Sequence, residues 1–162
     1  VTEADETGQT FAENALLKAR HAHAATGLPA IADDSGLRVA ALDGRPGVWS
    51  ARYAGEHASD DDNIDKLLTE LDGVTDRRAA FDCAACFIAG GDDEPLTGEG
   101  VWHGEILTAR RGTGGFGYDP VFFDTAFGLS SAELTAEQKN ARSHRGQALR
   151  QLAEALAARY PG

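Results

Sequence analysis

The sequence predicts an α/β or α+β domain built on a central mixed β-sheet flanked by helices. Two observations predict it. Segments with helical period and segments with strand period are interspersed along the chain. The 162 residues, 42% hydrophobic and 25% charged, suffice for a single domain (residues 1–162) with a real core.

The elements come in this order. Thr10-x-x-Glu13 forms a capping box, Phe11, Ala15 and Ala19 share a face, and Gly27 stops the first helix. Asn14 and Lys18 are one turn apart there, so an amide and an ammonium project from one side. The apolar run from Pro29 to Ala32 ends at Asp33-Asp34-Ser35-Gly36, read as a strand end and turn. A strand resumes from Leu37 to Leu42, and Asp43 to Gly47 is a loop. A second helix starts at an N-cap on Ser59 and runs through Ile64, Leu67, Leu68 and Leu71 to Gly73. Two or three strands come next, near 78–89, 96–102 and 104–109, and another near 120–123. Thr135 and Gln138 cap a short helix. Ser143 starts the last one, with Leu149, Leu152 and Leu156 on one face.

Charge narrows the function classes. A net charge of −11 disfavours a sequence-independent grip on DNA or RNA. Lys18, Lys66 and Lys139 are the only lysines; Lys66 follows Asp62 by one helical turn, a favourable surface pair. No apolar run approaches the roughly 20 residues of a bilayer span, and no signal peptide opens the chain. No membrane partner and a cytoplasmic location are therefore expected. Methionine is absent even at position 1, so the chain is expected to be trimmed or cut from a longer product.

Three patterns are weighed and set aside. Cys83-Ala-Ala-Cys86 has redox or zinc spacing, but it lies in an alternating strand where residues three apart face opposite sides. No second pair completes a zinc site, so the thiols are read as buried and structural. Gly112-Thr-Gly-Gly-Phe-Gly117 matches a dinucleotide fingerprint, yet a turn and strand come after it where a helix is required. A glycine-rich loop bringing N–H groups to a ligand remains open. His21, His23, His57 and His103 are read as structural or exposed.

Four segments carry residues that folding alone does not require: Thr10–Lys18, Ala32–Gly36, Gly112–Asp119 and Lys139–Arg145. Asp33 and Asp34 cannot both point into the core, because successive side chains on an extended segment alternate. Such carboxylates suit Mg2+, which takes one or two of them plus substrate phosphates, and they equally suit an ordinary polar turn. Lys139, Arg142, His144 and Arg145 place positive charge at a helix N-terminus, against the dipole. A ligand rich in phosphate or carbonyl acceptors accounts for that; a solvated basic patch is the plainer alternative.

Together these residues resemble the inosine triphosphate pyrophosphatases, the non-canonical purine NTP (dITP/XTP) pyrophosphatases. The resemblance runs through Thr10-Phe-Ala-Glu-Asn-Ala15 with Lys18-Ala19, Ala32-Asp-Asp-Ser-Gly-Leu37 and Leu42-Asp-Gly-Arg-Pro-Gly47. It continues through Ser50-Ala-Arg-Tyr-Ala-Gly55, Gly114-Gly-Phe-Gly-Tyr-Asp-Pro120, Ala132-Glu-Leu134 and Ser143-His-Arg-Gly146. It implies an α/β fold with two lobes around a nucleotide cleft, a homodimer, and Mg2+ as cofactor. The implied reaction is hydrolysis of ITP, dITP and XTP to the monophosphate and pyrophosphate, cleansing the nucleotide pool. The family opens with a strand and a Thr/Ser-Gly-Asn-x-x-Lys loop that this chain lacks, so the isolated segment is expected to be destabilised and weakly active.

The resemblance makes Asp34 the acid–base residue and a metal ligand, with Asp33 and Glu6 as carboxylate helpers. Lys18 and Lys139 stabilise charge on the phosphates. Ser35, Phe116, Gly117, Tyr118, Asp119, Lys139, His144 and Arg145 match substrate-contacting positions. Phe116 stacks on the purine, and donors from Ser143–Arg145 meet its 6-oxo group. Two other readings stay open: a pyrophosphatase for modified pyrimidine or ordinary nucleotides, and a non-catalytic nucleotide-binding module.

Overall fold

The computed structural model describes residues 8–90 and 94–161. The elements are α1 (Phe11–Thr26), β1 (Ala30–Val39), α2 (Asp60–Glu70), β2 (Arg78–Ile88) and β3 (Leu96–Ile106). They continue with β4 (Phe122–Asp124), β5 (Leu129–Ser130), α3 (Ala136–Arg142) and α4 (His144–Arg159). The strands form a five-stranded sheet in the order β1-β2-β3-β4-β5. β4 is antiparallel to β3, with Glu105 opposite Phe123, and to β5, with Phe123 opposite Ser130. The α/β class stands.

Contacts divide the chain into two compact units. The first comprises the described parts of residues 1–35, 82–101 and 142–162, and the second residues 36–81 and 102–141.

In the first unit α1 is capped as its sequence requires. Thr10 Oγ1 accepts from Glu13 N, and the left-handed Gly27 returns its N–H to His23 O. The Glu13 carboxylate reaches one residue further back than the capping box places it, accepting from Gln9 N at 2.7 Å. Ala15 and Ala19 of α1 pack with Ala84, Cys86 and Ile88 of β2. Ala148 and Leu152 of α4 pack with Cys83 and Ala85 of the same strand. The alternation along β2 therefore sends the two buried, free thiols to opposite faces, as their spacing predicts.

Close approach sets the register of α4. A Cβ on Gly98 would lie 2.2 Å from Ala148 O, and one on Gly100 only 2.1 Å from His144 O. The helix is seated on bare strand backbone through His144, Ala148 and Leu152. Leu149, expected on the inner face, is consequently exposed. The leucine period misleads because the seat follows His144, Ala148 and Leu152, a face that does not include Leu149.

The second unit holds the larger core. Leu37, Val39, Ile64, Leu67, Leu71, Trp102, Ile106, Val121 and Phe122 are all buried in one cluster. Each such aliphatic or aromatic side chain contributes about 1.5–3 kcal/mol on leaving water. The buried Asp124 is satisfied by Trp102 Nε1 at 2.8 Å and by the amides of Ala126 and Phe127. Ser59 and Asp62 close a reciprocal capping box on α2.

Other local expectations change, among them the strand expected to reach Leu42, where Ala40–Leu42 is a 3-10 turn. Asp33–Gly36 is not a turn; β1 runs unbroken from Ala30 to Val39. Turn-forming residues are overridden there by strand pairing and by the Lys18 and Arg145 cations that take the two carboxylates. β3 is likewise one strand, with no break near residue 103. Gly104 serves packing, since a Cβ there would sit 2.4 Å from Phe123 O. Lys66 turns to Tyr53, donating to its carbonyl at 2.9 Å with the ammonium 4.3 Å from the ring centroid. Asp62, its expected partner, accepts from Ser59 N in the cap.

Candidate functional site

In the first unit the chemistry gathers around the Asp33–Asp34 step of β1. Asp34 Oδ1 accepts from Lys18 Nζ at 3.0 Å, and the same ammonium donates to Asp33 O at 3.0 Å. The Asp34 side chain is 11% exposed, so this ion pair is largely withdrawn from water. Asp33 takes a different cation. Arg145 donates through Nε to Oδ2 at 2.6 Å and through Nη2 to Oδ1 at 3.1 Å, a two-pronged pair.

The strand explains why neighbours diverge. Asp34 has the parity of Ala32, which packs with α1, where Lys18 resides. Asp33 has the opposite parity, and Cys83 Sγ, from the α4-covered face of β2, lies 3.9 Å from Asp33 Oδ2. Burial and the Asp33 charge push the Cys83 thiol up to about 12. The hydrogen bond to Asp33 raises the Arg145 guanidinium above its ordinary range.

Ser35 is exposed on β1, and His144 is the first residue of α4. Asn14, expected to project with Lys18, does something else. It is buried, accepting from Gly8 N at 2.8 Å and donating to Gly8 O at 3.4 Å, so it anchors the approach to α1.

In the second unit the glycine-rich loop and α3 supply the candidates. Asp119 is buried; its Oδ2 accepts from Lys139 Nζ at 2.5 Å and from Phe116 N at 3.0 Å. Gly115, with φ +73°, makes room: a Cβ there would lie 2.1 Å from Asp119 Oδ2. Tyr118 OH donates to Ser50 O at 2.7 Å, and burial raises its pKa. Phe116 stands 67% exposed, with Lys139 Nζ 4.9 Å from its ring centroid. A 3-10 turn and β4 come after the loop, so no helix N-terminus faces Gly117 and the dinucleotide reading is excluded.

Two contributors escaped the sequence reading. Asp60 Oδ2 accepts from Gly117 N at 2.9 Å, and Arg110 Nη2 donates to Asp65 Oδ1 at 2.8 Å, tying both ends of the loop to α2. In sequence, Asp60 is indistinguishable from any acid favouring a helix N-terminus. The basic run also separates: Lys139 belongs to the second unit, and His144 and Arg145 to the first.

Carboxylate oxygens at Asp33 and Asp34 are the donor chemistry a hard cation prefers. No group of three His, Cys, Asp or Glu able to hold a metal occurs among the described residues. Glu6, the third expected ligand, lies outside them. Both Asp33 oxygens are taken by Arg145, so the donors fit an ion held by the Asp34 carboxylate and completed by substrate oxygens. Among the described residues no helix is long and apolar enough to cross a membrane.

Comparison with known proteins places these residues in a family. The Ham1 family profile matches residues 1–155. The chain belongs to the Ham1 family. Ham1 relatives include a dITP/XTP pyrophosphatase of Methylococcus capsulatus, 60% identical over 161 residues, covering 98% of this chain and 80% of the relative. Another, from Pectobacterium atrosepticum, is 57% identical over 159 residues, covering 96% and 81%. Among solved Ham1 structures, a HAM1 protein from Coxiella burnetii superposes with a TM-score of 0.91 at 50% identity, covering 98% of this chain and 82% of that one. The Ham1 protein of Staphylococcus aureus gives 0.91 at 46% identity, covering 98% and 82%.

Proposed function

We propose that this chain hydrolyses non-canonical purine nucleoside triphosphates (ITP, dITP and XTP) to the monophosphate and pyrophosphate, with Mg2+. The observation that carries the reading is the naming of 54–60% identical relatives, covered over about four-fifths of their length, as dITP/XTP pyrophosphatases. The Lys18–Asp34 pair supplies chemistry that suits that reaction.

Asp34 would hold the ion, with Glu6 as a further ligand, and Mg2+ supplies charge neutralisation on the phosphates. Asp34 accepts the proton of the water that attacks phosphorus, and Lys18, 3.0 Å from its Oδ1, holds the carboxylate in place. Lys18 and Lys139 stabilise charge gathering on phosphate oxygens as the anhydride bond breaks. Phe116 offers its exposed ring to the purine, its backbone N–H held by the buried Asp119 carboxylate, and Gly117, Tyr118 and Asp119 belong to the same substrate-facing loop. Ser35 adds a hydroxyl donor. His144 and Arg145 direct donors at the 6-oxo group of hypoxanthine or xanthine. Adenine presents an amino group there, and such mismatched polar pairing can discriminate by roughly 10⁴-fold. A homodimer working in the cytoplasm, with the chain folding as one domain, completes the proposal.

The test is pyrophosphate release from ITP, dITP, XTP, GTP and ATP, with and without Mg2+. Mg2+-dependent release from ITP and XTP well above ATP is expected. Equal rates on all five would remove the specificity, and no release would remove the reaction. Light scattering at micromolar concentration tests the dimer.

A further inference from the structure

Asp33 and Asp34 are adjacent in sequence and were expected to serve one metal. The structure divides them. Asp34 is turned to Lys18 on α1, and both carboxylate oxygens of Asp33 are engaged by Arg145 at the start of α4. We infer that Asp33 is a positioning residue for base selection: it fixes the Arg145 guanidinium that reads the purine 6-oxo edge. This rests on the proposed role of Arg145 in reading the base.

Three observations carry it. The contact is a fork with Nε and Nη2 on separate oxygens, at 2.6 and 3.1 Å, which sets the plane of the guanidinium as well as its distance. The pair spans 112 positions of sequence, so local geometry does not impose it. Asp33 itself is held on a paired strand, its side chain 23% exposed against 55% for Arg145. The better-fixed partner is the carboxylate, and the more exposed one is the donor that can meet a ligand. The fork consumes Nε and one Nη, leaving the other terminal nitrogen to donate outward.

A metal ligand and a positioning residue differ in what their loss changes. Asp33→Asn keeps the shape but removes the charge that holds the fork. It is expected to reduce the preference for IMP over AMP in equilibrium binding by on the order of 10- to 100-fold. The ITP-over-ATP ratio of kcat/KM should fall in parallel, through KM for ITP, with kcat and the Mg2+ concentration for half-maximal rate nearly unchanged. Arg145→Lys, which retains charge but cannot form the fork, should give the same loss, and the double variant no more than either alone.

A many-fold rise in the Mg2+ requirement of Asp33→Asn, with base preference intact, would overturn the inference and return Asp33 to the metal. Additive losses in the double variant would also overturn it. If Asp33→Asn fails to fold by circular dichroism, Arg145→Lys decides alone: an unchanged IMP-over-AMP preference sinks the idea. A parent chain that prefers IMP but releases no pyrophosphate counts against the proposed reaction only. A parent with no IMP preference refutes the positioning role itself.

Discussion

The Asp33–Asp34 step and the Gly112–Asp119 loop both carry candidate chemistry, and they hold it in opposite ways. On the strand, each carboxylate is clamped by its own cation from a helix, so the candidate groups are themselves held by side chains. In the loop the roles are split. Tyr118 and Asp119 are buried and bind Ser50, Phe116 N and Lys139, while Phe116 is left exposed. A rigid element positions its functional groups through side-chain partners, whereas a loop rich in glycine needs dedicated anchors. At the strand, substitution of Asp34 should therefore strike turnover and that of Asp33 base choice, while at the loop stability should separate from affinity.

The largest effect tests the strand. Asp34→Asn should fold and bind nucleotide, yet lose about 10²- to 10⁴-fold in kcat for ITP, measured as pyrophosphate release. A rate near that of the parent would take the proton-accepting role away from Asp34. Next comes the seat of α4. Gly100→Ala drives a Cβ to 2.1 Å from His144 O and should cost about 3 kcal/mol in urea unfolding. An unchanged midpoint would mean that the helix and strand can part without penalty.

At the loop the separation should be visible in a pair of variants. Asp119→Asn strands the Lys139 charge and should destabilise by about 2 kcal/mol. Phe116→Ala should leave stability within about 0.5 kcal/mol while raising KM for ITP roughly tenfold, the worth of one stacked base. Were Phe116→Ala to unfold the protein as readily as Asp119→Asn, the division between anchor and contact would be lost.

The smallest effect concerns alkaline pH. Cys83 is pushed from 9.0 to about 12 by burial, so above pH 9 the unfolded chain releases a thiol proton that the folded one keeps. Stability is thus full below pH 9 and declines between pH 9 and about pH 12; Tyr53, raised from 10.0 to about 12, acts in the same direction. Denaturant midpoints at pH 8 and pH 10 check the sign, and Cys83→Ala should flatten part of the slope.

Helix limits, caps and strand character were legible wherever the deciding contacts are local. Thr10, Ser59, Thr135 and Ser143 each cap the helix their position implies. The divergence of Cys83 and Cys86 was also legible from period alone, because a strand admits only two side-chain directions. So was the rejection of a dinucleotide site at Gly112–Gly117, because a 3-10 turn and a strand, not an α-helix, come next along the chain. Partner choice was not legible. Arg145 for Asp33, Lys18 for Asp34, Tyr53 for Lys66 and Asp60 for Gly117 are pairings at long separation among many equivalent charges. Sequence could name the candidates, and only packing could assign them.

By itself, then, the sequence named the candidate residues, the caps and periods of most elements that bear them, and the family in which that pattern recurs. The tertiary structure alone decided that β1 continues through Asp33–Gly36, that α4 sits on Gly98 and Gly100, and that two adjacent aspartates answer to different helices. The physical reason is one of range. Caps and periods are settled within a few residues, while an ion pair or a close backbone approach is settled by groups that only folding brings together.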